Sequence, residues 1–103
     1  MEQAAHVERI QEMEEALDRA TEAVRQLARD LDCFETSQPA ISKLAAYYGS
    51  EEWFEDRDAD EDGELPTDLK RGVLGEDVPY DLLVEYRDLA VRMLETATRM
   101  LKE

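Results

Sequence analysis

The residues with the clearest spacing for chemistry are Asp58-Ala59-Asp60-Glu61-Asp62-Gly63-Glu64-Leu65. A twelve-residue calcium loop places carboxylates at its first, third and fifth positions, so that alternate side chains converge on one ion. It then uses glycine at the sixth position for the turn and an aliphatic residue at the eighth. Asp58, Asp60, Asp62, Gly63 and Leu65 meet these requirements. The closing ligand does not: the twelfth position, which wants a bidentate glutamate, is Leu69, and the ninth is Pro66. Asp68 stands one residue early and substitutes only if the loop distorts. A calcium module using Asp58, Asp60, Asp62 and Asp68 is therefore an expectation that ranks second. D-x-D-x-D arises readily in a chain where 27 of 103 residues are acidic, and the pattern has no second copy to pair with.

Other chemistry has little to build on. His6 is the one histidine and Cys33 the one cysteine. Cys33 lies between Asp32 and Phe34, an environment that does not favour a reactive thiol. No glycine-rich phosphate loop and no Cys/His cluster is present. The expectation is that the chain is not an enzyme and carries no cofactor, calcium excepted. A small-molecule site would have to use Tyr47, Tyr48, Trp53 and Phe54 with Lys70 and Arg71. The aromatics serve equally as core and as interface anchors, and the basic pair serves equally as a local partner for the acids beside it.

The net charge of −15 repels nucleic-acid phosphates and anionic lipid surfaces, which argues against either as a partner. The charge is unevenly placed. Residues 51–68 hold ten acids against the single base Arg57, a local −9. That stretch is an address on the chain: a solvated face, or a docking surface for a basic partner. A lone cysteine fits a reducing compartment. The opening MEQAAHVERI lacks the features of a secretion signal, and no apolar run is long enough to span a bilayer. These features together predict a cytoplasmic protein.

The elements that must position these residues are helical. Ile10, Met13, Leu17, Ala20, Val24, Leu27, Leu31 and Phe34 follow at spacings 3,4,3,4,3,4,3, an apolar heptad seam. It predicts a helix over about 3–34, about 48 Å long at 1.5 Å per residue. That is long for 103 residues, and the excess must pack on another long helix or on a second copy. Pro39 is expected to restart the chain in a short helix bearing Ile41, Leu44, Ala45 and Tyr48. Gly49 should close it in a left-handed conformation, with Ser50 capping the next helix. A short helix bearing Trp53 and Phe54 then runs into an acidic loop from Asp60 to Pro66, and one helical turn follows with Gly72 as its stop. A last helix over about 78–102 carries a wide stripe that includes Leu82, Tyr86, Leu89 and Met93. No strand alternation appears. The expectation is a single all-α domain over 1–103 in which two long helices pack antiparallel, with short helices and the acidic loop between them. The overlong seam and wide stripe also suggest a homodimer.

Tyr47-Tyr48-Gly49-Ser50-Glu51-Glu52-Trp53, then Leu65-Pro66-Thr67-Asp68-Leu69-Lys70-Arg71-Gly72-Val73-Leu74, resemble a family of small acidic bacterial proteins classified only as a domain of unknown function. The opening Glu8-Arg9-Ile10-Gln11-Glu12-Met13-Glu14 resembles that family too, so the likeness covers nearly the whole chain. It implies an all-α bacterial cytosolic protein and no established activity, and it carries over no catalytic or ligand residue. The combined expectation is a non-enzymatic protein–protein interaction module. Its contact surface would draw on Tyr47, Tyr48, Trp53, Phe54, Lys70 and Arg71, and its partner would be itself or another protein.

Overall fold

The computed structural model describes residues 1–103. The fold is all-α and contains no strand. Helix α1 runs over Glu2–Tyr47, α2 over Glu51–Glu61 and α3 over Asp77–Leu101, with a single 3-10 turn, Gly72–Leu74, between α2 and α3. The chain forms two compact units, residues 1–39 and residues 40–103.

The first unit is a single helix. No glycine or proline interrupts residues 2–38, and its polar side chains hold one another locally. Arg9 Nη2 donates to His6 Nδ1 at 2.8 Å, and Arg29 Nη2 donates to Gln26 Oε1 at 2.9 Å. Gln26 Nε2 in turn donates to Asp30 Oδ1 at 3.0 Å. The predicted end near residue 34 and the restart at Pro39 are both corrected. The helix continues through Pro39 to Tyr47.

Proline lacks the N–H that would bond four residues back, and its ring crowds that carbonyl. The preceding turn carries two hydroxyl bonds to the backbone, neither of them to the Glu35 carbonyl that Pro39 leaves without its donor. Thr36 Oγ1 donates to the Asp32 carbonyl at 2.9 Å, and Ser37 Oγ donates to the Cys33 carbonyl at 3.3 Å. Such back-bonding often accompanies helix bends. Pro39 is also the last residue of the first unit. The sequence marks the right residue, where a unit ends, but the helical backbone does not break there.

In the second unit the caps form as expected. Gly49 takes φ +76°, ending α1, and Ser50 Oγ accepts from Trp53 N at 3.2 Å, opening α2. Glu51 and Glu52 sit in the first turn of α2, where they meet the positive helix end. Helix α2 runs into the region expected to be loop and stops at Glu61. There Gly63 N donates to the Asp60 carbonyl at 3.1 Å and Glu64 N to the Ala59 carbonyl at 3.0 Å. This pair is the Schellman closure, with Gly63 at φ +70° supplying the left-handed residue it needs. Gly72 opens its helical turn and does not stop it; Gly75 caps it. Both α2 and α3 pack against this turn. Pro79 is tolerated in the first turn of α3 and is buried there.

Replacing Pro39 by alanine restores the missing donor within a continuous helix. Pro39→Ala is expected to raise stability by about 1–3 kcal/mol, read from urea unfolding. A loss of stability would show that the chain needs a break at this position.

Candidate functional site

Trp53 organises the second unit. It is the one buried hydrophobic side chain among the large apolar residues, at 3% exposed. Its indole Nε1 donates to the Val73 carbonyl at 2.9 Å, tying α2 to the 3-10 turn. Tyr48 packs against it at 5.0 Å between ring centroids, tilted by 58°. Phe54 meets it edge-on at 5.0 Å. The Arg57 guanidinium lies 4.6 Å from the ring centroid, a cation–π contact. Arg57 Nη1 also reaches Glu76 Oε1 at 3.1 Å, and the Tyr48 hydroxyl donates to the Glu76 carbonyl at 3.1 Å. One tryptophan thus joins the last turn of α1, α2 and the approach to α3.

A second cluster pins the loop after α2. Arg71 Nε stands 2.8 Å from Asp60 Oδ1 as an ion pair. Its Nη2 donates to the Pro66 carbonyl at 2.7 Å and its Nη1 to the Thr67 carbonyl at 3.4 Å. The guanidinium fork closes residues 60–71 on themselves. Asp60 lies near the negative C-terminal end of α2, an unfavourable place for a carboxylate, and Arg71 offsets it.

The four acids of the calcium pattern are not gathered. Asp58 and Asp60 lie on helical backbone, where residues two apart point to different sides. Asp62 is the C-cap of α2, and Asp68 is exposed in the following loop. No group of three His, Cys, Asp or Glu side chains is arranged to hold a metal ion. Asp60 is committed to Arg71, and Gly63 is accounted for by helix closure.

The six residues expected at a contact surface divide. Trp53 is buried, and Tyr47 and Tyr48 are half-buried. Arg71 is held by the loop. Phe54 remains 54% exposed, and Lys70 is exposed. Lys70 and Arg71 do not converge. Arg71 faces Asp60, whereas Lys70 helps line an open apolar groove with Leu44, Val73, Val78, Pro79 and Leu82. Sequence reasoning missed Arg57, Glu76 and the Val73 carbonyl. The last is a backbone acceptor and leaves no mark in residue type. The placement of Arg57 four residues after Trp53 was the readable signal for the cation–π contact.

Tyr47 donates its hydroxyl proton to Asp56 Oδ2. That hydrogen bond to Asp56 pushes the Tyr47 pKa up to about 12 from 10, aided by burial and by the charges of Asp56 and Glu52. The folded state therefore holds the phenolic proton more tightly than the unfolded chain does. This contribution to stability is complete below pH 10 and is lost as pH rises from 10 through about 12. In an alkaline titration followed by phenolate absorbance, Tyr47 is expected to ionise near pH 12, and Asp56→Ala should return it toward 10. An unchanged titration in that variant would show that the hydrogen bond is not the cause.

The largest exposed apolar feature lies outside both clusters. On α1, Ile10, Met13, Leu17, Val24 and Leu27 are 46–65% exposed, and within residues 1–39 no second element covers them. On α3, Leu82, Leu89, Met93 and Leu94 are exposed, while Leu83 and Tyr86 are half-buried. No helix is long and apolar enough to cross a membrane.

A comparison with curated proteins finds no match. A family model does match, over residues 10–96, from the first residue of the α1 seam to near the end of α3. By that match the chain belongs to the family described as the domain of unknown function DUF4298.

Proposed function

We propose that the chain is a non-enzymatic protein–protein interaction module that works by self-association through α1. The observation that carries this reading is the seam: an uninterrupted heptad pattern in which Ile10, Met13, Leu17, Val24 and Leu27 are about half or more exposed, while Leu31 and Phe34 are half-buried. An isolated helix draws most of its stability from tertiary packing of its apolar face, and a seam of this length left in water is a binding site awaiting a helix. The rigid Trp53 hub holds the end of α1 while leaving Phe54 and the acidic outer face of α2 open, a second surface suited to a basic partner. The lone, exposed cysteine supports a reducing, cytoplasmic setting, and the family likeness supports a bacterial one.

Light scattering across a concentration series tests this. The account expects a species of twice the 11.9 kDa chain mass. Leu17→Glu, which places a charge in the seam, should reduce it to the single-chain mass while Trp53 fluorescence stays unchanged. A wild-type protein that remains a single chain at high concentration would overturn the reading.

A further inference from the structure

We propose that the open groove between the last turn of α1, the 3-10 turn and the start of α3 binds a small amphiphilic carboxylate, a hydrocarbon body carrying one anionic end. The groove lies wholly within residues 40–103 and is independent of the self-association through α1.

Its walls are apolar and its frame is fixed. Leu44, Val73, Val78 and Leu82 line a volume of about 360 Å³, within the roughly 300–1,000 Å³ of small-molecule sites. Val73, Val78 and Leu82 are exposed, so hydrocarbon laid on them takes apolar surface out of water. The Trp53 indole donates to the Val73 carbonyl at 2.9 Å. The Arg71 guanidinium, next in the chain to Lys70, ties down the Pro66 and Thr67 carbonyls. A groove already held in shape costs its ligand little ordering.

Gly72 keeps the groove wide. Gly49 and Gly63 serve a positive φ, and at Gly75 a Cβ would stand 3.4 Å from the Gly72 carbonyl oxygen. Gly72 has neither reason to be glycine: its φ is not positive, and a Cβ there would meet nothing within 4 Å. Glycine in such a position costs conformational entropy relative to alanine. What it contributes is room in the groove wall.

Lys70 sets the sign of the ligand. It is the one charged side chain lining the groove, and it is exposed. Arg57 and Arg71 are paired with Glu76 and Asp60, whereas Lys70 makes no ion pair. Helix α3 opens without a side-chain cap, so its positive end adds to the charge of the lysine. Asp77 stands in that turn but does not line the groove. The rest of the chain limits the ligand from the other side. A net charge of −15 repels a polyanion, and a single carboxylate on an apolar body is the chemistry that fits both.

Amide chemical-shift titration of the whole chain with decanoate, below its micelle concentration, tests the site. Shifts are expected at Leu44, Val73, Val78 and Leu82. Lys70→Glu breaks no contact that holds the fold, and is expected to weaken binding about tenfold or more. Gly72→Leu, whose side chain enters the open space, should abolish binding while Trp53 fluorescence keeps its wild-type spectrum. A Lys70→Glu or folded Gly72→Leu chain that binds decanoate as tightly as the wild type overturns the proposal. So do shifts confined to the exposed seam of α1, or no shifts at millimolar decanoate.

Discussion

The proposed self-association rests on one constraint: Ile10, Met13, Leu17, Val24 and Leu27 of α1 stand exposed to water along one helix. A helix of 46 residues satisfies its own backbone hydrogen bonds, but propensity alone does not hold a helix firmly in water. Along residues 1–39 the local contacts between polar side chains include His6 with Arg9 and Gln26 with Arg29 and Asp30. Each contributes a few tenths of a kcal/mol at such spacing. Burial of a Leu, Ile or Val contributes about 1.5–3 kcal/mol. Further stabilisation is therefore available in the seam, and its regular spacing suits another helix laid alongside, as the proposed self-association requires.

The second unit solves the opposite problem, organising an acid-rich segment around very little apolar material. Trp53 supplies the centre, and its neighbours convert acidity into structure. Glu51 and Glu52 meet the N-terminus of α2, Asp56 accepts from Tyr47, Glu76 pairs with Arg57, and Asp60 pairs with Arg71. The local charge of −9 is thus partly absorbed into caps and ion pairs. What remains exposed faces outward beside Phe54. The two clusters share one logic: an arginine four residues after Trp53 and another beside the loop carbonyls each hold a turn that has little core beneath it.

Much of this was legible from residue types. The all-α class followed from the 3,4 spacing of the seam and the lack of alternation. Gly49 and Ser50 form the expected caps because each role depends on a local property, a left-handed backbone for one and a side-chain acceptor for the other. The misreadings came where a residue has two uses. Gly63 fits the sixth position of a calcium loop and equally the left-handed residue that closes a helix, and only the preceding helix decides between them. Pro39 reads as a break, yet α1 continues through it, carrying the loss of one hydrogen bond within a long helix. Gly72 stands at a helical turn in either reading, but on its other side. The Trp53 bond to the Val73 carbonyl was invisible, since a backbone acceptor twenty residues away has no compositional signature. Trp53, readable as core or as interface anchor, is buried with its indole on that distant turn.

The family assignment defines the chain without defining its work, so the functional account stands on the exposed seam. Its central claim is that residues 10–34 become a stable helix by being covered. Amide hydrogen exchange over that stretch, measured across a range of protein concentrations, tests it most directly. The account predicts that protection from residue 10 to residue 34 rises with concentration while protection around Trp53 stays level. Equal protection of the seam at every concentration, from dilute to concentrated, would contradict it.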